Sequence, residues 1–303
     1  MSASAVVFAY HNVGARCLRV LVAHGIRVPL VVTHLDDPSE TLWFERVSEV
    51  ADDLGLPWIA PDDANAPEVV ARVAALAPDF LFSFYYRRML GPAMLATARR
   101  GALNVHGSLL PKFRGRAPVN WAILEGERVT GATLHDMTAK PDAGGIVDQQ
   151  AVPILPDDTA KEVFDKVTVA AEIVVDRSLP ALVTGTAHRR VNDLAAGSYR
   201  GGRRPEDGRI DWTWPARRVH DLVRAVAAPY PGAFSDLPGG RLHIHRTRRL
   251  GIAPAGAPAT PGVFVADDRV YGRCGDGGVV AIVSAMADGA SAGPARVRSL
   301  LGR

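Results

Sequence analysis

Phe80-Leu81-Phe82-Ser83-Phe84, followed by residues 88–97 and then Ala102-Leu103-Asn104-Val105-His106, is the stretch that decides the fold. An apolar run, a segment with helical spacing and a second short run make a strand–helix–strand unit. The alternation continues on both sides. Upstream, residues 5–10, 28–33 and 58–60 read as strands, and 14–24, 40–54 and 67–76 have helical spacing. Downstream, 131–135 and 146–154 read as strands, and a long helix is expected over 159–184 behind the cap region Pro156-Asp157-Asp158. This pattern is that of an α/β unit: a Rossmann-like, mostly parallel sheet with helices on both faces.

Residues 189–209 change character. Gly197, Gly201, Gly202, Pro205 and Gly208 mark a linker, so residues 1–200 are expected to form a catalytic domain and 201–303 a second one. In the second, a helix is expected over 215–226. Short apolar runs at 232–234, 242–245, 262–266, 269–273 and 279–283 lie between Pro and Gly turns, the pattern of a small OB-like β-barrel.

Composition narrows the classes. Of 303 residues, 48% are hydrophobic and 22% charged, which excludes a disordered chain and supplies a sizeable core. No apolar run approaches the ~20 residues that span a bilayer, so no membrane insertion is expected. The opening residues lack a basic n-region and read as a first strand, not a signal peptide. Cys17 and Cys274 are too few for a disulfide framework or a metal knuckle. A cytoplasmic location and no metal are expected. The net charge of +3 is uneven: residues 201–303 hold 15 Lys+Arg against 9 Asp+Glu. That suits a phosphate-bearing partner, and equally a solvated surface. Dinucleotide, P-loop, H-E-x-x-H and G-x-S-x-G motifs are absent, which argues against NAD, ATP and esterase chemistry by their usual routes.

One constellation carries chemistry. In Gly101-Ala102-Leu103-Asn104-Val105-His106-Gly107-Ser108-Leu109-Leu110-Pro111, strand alternation puts Asn104 and His106 on one face, at the strand end where open α/β sheets bind ligands. A histidine moves protons near neutral pH, and a carboxamide donates to a developing oxyanion. Asp142, in the loop Lys140-Pro141-Asp142-Ala143-Gly144-Gly145, is the candidate that orients the imidazole and raises its pKa above the usual ~6.5. Without further context, such residues more often only tie down a loop.

That context is a resemblance. Asn104-x-His106-x-Ser108-Leu109-Leu110-Pro111, Arg114-Gly115-x-Ala117-Pro118 and Asp142-x-Gly144 together resemble the signature of the folate-dependent formyltransferases. The resemblance implies a catalytic trio of Asn104, His106 and Asp142, with 10-formyltetrahydrofolate as formyl donor. It implies folate contacts at Arg88, Met89 and Leu90, at Arg116, and along Thr138, Ala139, Lys140, Pro141 and Asp142. Methionyl-tRNA formyltransferases usually carry F-A-G-T-P after the first strand, R-G-A-A-P-I-Q-R after the S-L-L-P loop, and a basic insertion after the second strand. Here those places read Phe8-Ala9-Tyr10-His11-Asn12, Arg114-Gly115-Arg116-Ala117-Pro118-Val119-Asn120-Trp121, and the short acidic Thr33-His34-Leu35-Asp36-Asp37-Pro38-Ser39-Glu40. Acidic residues repel a nucleic-acid backbone.

The same places, with Phe82-Ser83-Phe84-Tyr85-Tyr86-Arg87 and Gly202-Arg203-Arg204-Pro205, resemble the branch that formylates UDP-4-amino-4-deoxy-L-arabinose in lipid A modification (polymyxin resistance). Small-molecule partners, a UDP-amino sugar and a folate, are therefore expected, and no nucleic acid. Tyr10, His11 and Asn12 are candidates for the sugar pocket, and Arg203 and Arg204 for the diphosphate. The resemblance weakens after about residue 242. In that branch a decarboxylase segment follows, whereas this chain ends at Arg303, as a free-standing formyltransferase or a shortened piece would. The alternatives are a methionyl-tRNA formyltransferase, a formyltransferase for another nucleotide-linked amino sugar, and a non-catalytic nucleotide- or RNA-binding module. Nothing in the sequence specifies an oligomeric state.

Overall fold

The computed structural model describes residues 3–37 and 42–302. They form two compact units, Met1–Pro118 with Val129–Pro153 and Phe164–Gly201, and Val119–Arg128 with Ile154–Val163 and Gly202–Arg303.

The first unit runs β1 (Ser4–Ala9), α1 (His11–Ala23), β2 (Arg27–Val32), α2 (Val47–Asp53), β3 (Trp58–Ile59), α3 (Pro67–Ala75), β4 (Phe80–Phe84), the single turn α4 (Pro92–Leu95) and β5 (Gly101–His106). The two-residue β6 (Arg114–Gly115), α5 (Pro118–Leu124), β7 (Val129–Asp136), β8 (Ile146–Pro153), α6 (Ala160–Thr184) and the two-residue β9 (Tyr199–Arg200) follow. Part of α5 and the first turn of α6 belong to the second unit. Seven strands make one sheet in the order β3-β2-β1-β4-β5-β7-β8. It is parallel from β3 to β5, with β7 and β8 antiparallel at one side. Every residue of β1 and β4 is buried, as central strands covered on both faces require. β8, at the edge, is mostly half-exposed.

Two expected helices are shorter than their spacing suggests. Residues 88–91 are not helical, and α4 begins only at Pro92. Proline disfavours helical backbone at the residue before it, here Gly91, and fits the first helical position itself. The helix expected over 40–54 is Val47–Asp53; its first two positions lie outside the described residues.

In the second unit, α7 (Ala216–Val226) precedes β10 (Ala233–Leu237), β11 (Gly240–Leu250), β12 (Gly262–Ala266), β13 (Arg269–Arg273), β14 (Val279–Ala287), the short β15 (Ala290–Ser291) and α8 (Pro294–Leu300). The strands form an antiparallel half-barrel in the order β10-β11-β14-β13-β12, with β15 on β14. The chain passes finally to this unit at Gly202, yet residues 119–128 and 154–163 already belong to it. Long-range hydrogen bonds hold both: Asn120 Nδ2 donates to the Ala225 carbonyl (2.7 Å), Arg217 to that of Gly126 (2.8 Å), and His220 Nε2 lies 2.9 Å from that of Pro156. A single cut at residue 200 misses these two segments.

Candidate active site

The site is built where the carboxyl end of β5 pairs with the last residues of β7. Their antiparallel register sets Asn104 opposite His135 and His106 opposite Thr133. β7 pairs in turn with β8, with Thr133 opposite Gln149. Polar side chains thus face one another across three strands. The loop after β5 is fixed from them. Thr133 Oγ1 donates to the Ser108 carbonyl (2.6 Å) and accepts from Leu110 N–H (3.1 Å), while Gln149 Nε2 donates to the Leu110 carbonyl (2.9 Å). Ser108 Oγ donates to the Lys112 carbonyl (2.6 Å). Gly107 is required here, because a Cβ would lie 1.9 Å from Tyr85 Oη.

His106 is buried, with 7% of its surface exposed. Its Nε2 donates to the Phe113 carbonyl at 2.8 Å. A carbonyl only accepts, so Nε2 carries the hydrogen and the lone pair of the neutral ring sits on Nδ1. Nδ1 faces Asp142 Oδ1 at 3.5 Å. Asp142 Oδ2 accepts the Gly115 backbone N–H at 2.8 Å. Gly115 has φ +98°, and a Cβ there would meet the Arg200 carbonyl oxygen at 2.3 Å, so only glycine presents this N–H. Asp142 itself is left-handed at φ 50°, a conformation asparagine and aspartate tolerate better than most residues. Asn192 Nδ2 holds its carbonyl (3.0 Å) and that of Gly144 (3.1 Å).

Burial pushes the Asp142 carboxyl up. The His106 charge, the nearby His135 ring and the Gly115 N–H more than offset that push, and the group lies below the usual carboxylate range. It is an anion at neutral pH. For His106 the balance is reversed. Burial lowers its pKa, Asp142 and the Phe113 carbonyl raise it, and His135 lowers it; the result is below the ordinary histidine value. The expectation that Asp142 lifts His106 above ~6.5 is therefore corrected. Asp142 pulls in that direction, but desolvation of a buried imidazolium outweighs it.

His135 has no role in the sequence reading. It is 1% exposed, with Nδ1 2.9 Å from the Asp136 carbonyl and Nε2 3.1 Å from Asn104 Nδ2 and 3.5 Å from Asp142 Oδ1. Period-two alternation in 131–135 puts Thr133 and His135 on one face, but the register against β5 is not written in either strand alone.

The folate candidates occupy three places, 88–90, Arg116 and 138–142; Leu90 belongs to a core cluster against which Met137, next to the third, also packs. Leu90 is buried in that core, whereas Arg88 and Met89 are exposed. Asn65 pins the segment, donating to the Met89 carbonyl (2.9 Å) and accepting from Gly91 N–H (2.6 Å). Thr138, Ala139 and Lys140 are exposed, Pro141 half-buried, and Thr138 Oγ1 donates to the Lys140 carbonyl (2.9 Å). Arg116 is exposed, its N–H bonded to the Arg200 carbonyl (3.0 Å).

Tyr10 and His11 are buried among aromatic rings: His11 stacks on Phe44 (4.1 Å) and lies against Trp43 and Phe164. Tyr10 Oη donates to Asp36 (2.7 Å), which also pairs with Arg46 (2.7 Å), so the charge of Asp36 is largely compensated. Of the acidic stretch 33–40, residues 38–40 lie outside the described residues. Asn12 Oδ1 accepts from Glu45 N–H (2.8 Å). In the second unit the Arg203 guanidinium lies 5.1 Å from the Trp121 ring centroid and donates to the Asp207 carbonyl (2.9 Å). Arg204 is exposed. Among the described residues no group of three or more His, Cys, Asp or Glu is placed to hold a metal ion, and no helix is long and apolar enough to cross a membrane.

A buried imidazole facing a carboxylate, with Asn104 on the same strand face, at the carboxyl end of a parallel strand of an open α/β sheet, is an arrangement suited to group transfer. Comparison with known families gives the particular class. The formyl transferase family matches residues 11–179, and the formyl transferase C-terminal domain matches 203–296. The chain belongs to the formyl transferase family and is a formyltransferase. Solved structures share the fold. The N-formyltransferase from Helicobacter canadensis, in complex with folinic acid and dTDP-3-aminofucose, aligns with TM-score 0.72 at 16% identity over 93% of this chain and 99% of its own. WlaRD, a sugar 3N-formyl transferase solved in the presence of dTDP and 5-N-formyl-THF, gives 0.73 at 15% over 93% and 97%. HypX from Aquifex aeolicus, in complex with tetrahydrofolic acid, gives 0.65 at 19% over 98% of this chain and 47% of its own.

Proposed function

We propose that this chain transfers the formyl group of 10-formyltetrahydrofolate to the amino group of a nucleotide-linked amino sugar, with UDP-4-amino-4-deoxy-L-arabinose as acceptor. The observation that carries this reading is His106 Nδ1, a buried lone pair 3.5 Å from an ionised carboxylate, on the same strand face as Asn104. The folate supplies an activated formyl carbon. As the amine adds to that carbon, negative charge grows on the formyl oxygen, and an Asn104 amide N–H donates to it. The amine sheds a proton, which His106 accepts at Nδ1; the imidazolium is then paired with Asp142. The same proton returns to the departing folate nitrogen.

Folate recognition is assigned to Arg88, Met89, Arg116 and the 138–142 loop, with Leu90 as the apolar floor. Arg203 supports a diphosphate-bearing acceptor. Burial works against its charge, and its Nε has no hydrogen-bond partner among the described residues; an anion supplies that missing partner. The Helicobacter canadensis structure holds a dTDP-amino sugar and WlaRD was solved with dTDP, which supports the acceptor class and makes a dTDP-linked amino sugar the second candidate. The assay offers formyl donor with UDP-4-amino-4-deoxy-L-arabinose, a dTDP-linked 3-amino sugar, or charged initiator tRNA. Fastest turnover with the first is expected. Faster formylation of the tRNA refutes the acceptor class, and faster turnover of the dTDP sugar refutes the choice within it.

A further inference from the structure

His135 is a buried polar ring whose two nitrogens do different work. The Asp136 carbonyl, 2.9 Å from Nδ1, only accepts, so Nδ1 carries a hydrogen. That bond, within two adjacent residues, suffices to satisfy one side of the ring. Nε2 faces the reacting end of the site, 3.1 Å from Asn104 Nδ2 and 3.5 Å from the Asp142 oxygen that also faces His106. In the neutral ring Nε2 accepts one Asn104 N–H, which leaves the second N–H of that amide as the one to meet a developing oxyanion. Without this contact the carboxamide, half-buried at a strand end, is free to turn its oxygen toward the same point, where it would repel negative charge.

We infer that His135 is a positioning residue for formyl transfer: its Nε2 fixes the plane and sense of the Asn104 carboxamide. The inference rests on the formyl-transfer function proposed above. The Asn104 contact satisfies the buried Nε2 and orients the carboxamide at once, so removing a purely structural histidine would cost stability and leave kcat of the folded enzyme unchanged.

Three full-length variants separate the two sides of the ring. His135→Asn keeps a donor near the Asp136 carbonyl but is too short to reach Asn104. His135→Gln reaches the Nε2 position, and His135→Leu reaches neither. The expected result for His135→Asn and His135→Leu is a kcat lowered roughly 10- to 100-fold, the loss that follows from one misdirected hydrogen bond. KM for both substrates should change less than about threefold. His135→Gln should restore most of kcat. Wild-type kcat in a folded His135→Asn enzyme overturns the inference, as does a His135→Gln loss as deep as that of His135→Asn. Nitrogen-15 NMR of the imidazoles in the wild-type chain without substrates reads the geometry independently of turnover. A neutral ring with its hydrogen on Nδ1 is expected, and a hydrogen on Nε2, in a neutral or a doubly protonated ring, overturns the assignment even if the variants do not fold. An absence of formyl transfer by the wild-type chain to any acceptor refutes the proposed function instead, and the NMR result still stands.

Discussion

Replacing Asp142 by asparagine is the sharpest perturbation of the site. The backbone tolerates it, since the left-handed φ of 50° suits asparagine as well as aspartate. The Gly115 N–H, 2.8 Å from Oδ2, selects the new side-chain oxygen and turns its amide nitrogen toward His106. That N–H then donates to the Nδ1 lone pair, the atom assigned to receive the proton. Two effects follow. The charge pairing with imidazolium is lost; at 3.5 Å, and an effective dielectric of ~20, unit charges attract by about 5 kcal/mol before desolvation is counted. Most of that is offset in a buried site, and a fall of about 1–3 pKa units in His106 is the realistic scale. The basic atom is also occupied. Turnover should drop by about 10²–10⁴-fold, the range for loss of general acid–base catalysis. The acidic limb of kcat/KM, which in the wild-type enzyme should lie below ~6.5 because burial holds His106 low, should move to still lower pH. Single-turnover formyl transfer from pH 4.5 to 8.5 measures both. An active Asp142→Asn enzyme with an unmoved acidic limb would show that Asp142 holds the loop and does not tune the histidine.

Asn104→Ala should lower kcat by about 10²–10³-fold and leave the acidic limb in place; a shifted limb would mean that the carboxamide acts through His106. Gly115→Ala should destabilise the fold by more than about 1 kcal/mol in urea titration, because its Cβ meets the Arg200 carbonyl at 2.3 Å and φ is +98°; an unchanged midpoint refutes the close approach. Stability should decline as pH falls below about 6.5. Burial holds His106, His220 and His245 below the ordinary histidine value and pushes His34 down to about 4. The unfolded chain therefore binds protons first, and Asp142 adds its share below about 4; a flat urea midpoint from pH 7.5 to 5 contradicts this.

What could be read in the sequence was local, and what could not depended on partners far along the chain. The strand Phe80–Phe84 and the α6 segment are legible because an apolar run or a long 3.6-residue period needs no partner to be recognised. Asn104 and His106 share a face for the same reason. His135 depends on the β5–β7 register, set by pairing across 31 residues, and Asn192 reaches back 50 residues to the Asp142 carbonyl. The direction of the His106 shift could not be read either, because desolvation comes from packing whereas Asp142 is visible as a motif. This division has a physical consequence for the site. Buried polar atoms cost stability unless each finds a partner, and here they find them in two sets: Asn104 and His135 beside the Asp142 carboxylate that also faces His106, and Thr133 with Gln149 and the Ser108 and Leu110 backbone. Each hydrogen bond that satisfies burial also fixes a functional direction: the Phe113 carbonyl selects which nitrogen of His106 is basic, and Gly115 selects which oxygen of Asp142 faces it. The requirement to pair buried polar groups and the requirement to orient reacting atoms are met by the same bonds, so substitutions in these sets should lower stability and turnover together, whereas substitutions at the exposed Arg116 or Met89 should change turnover or KM alone.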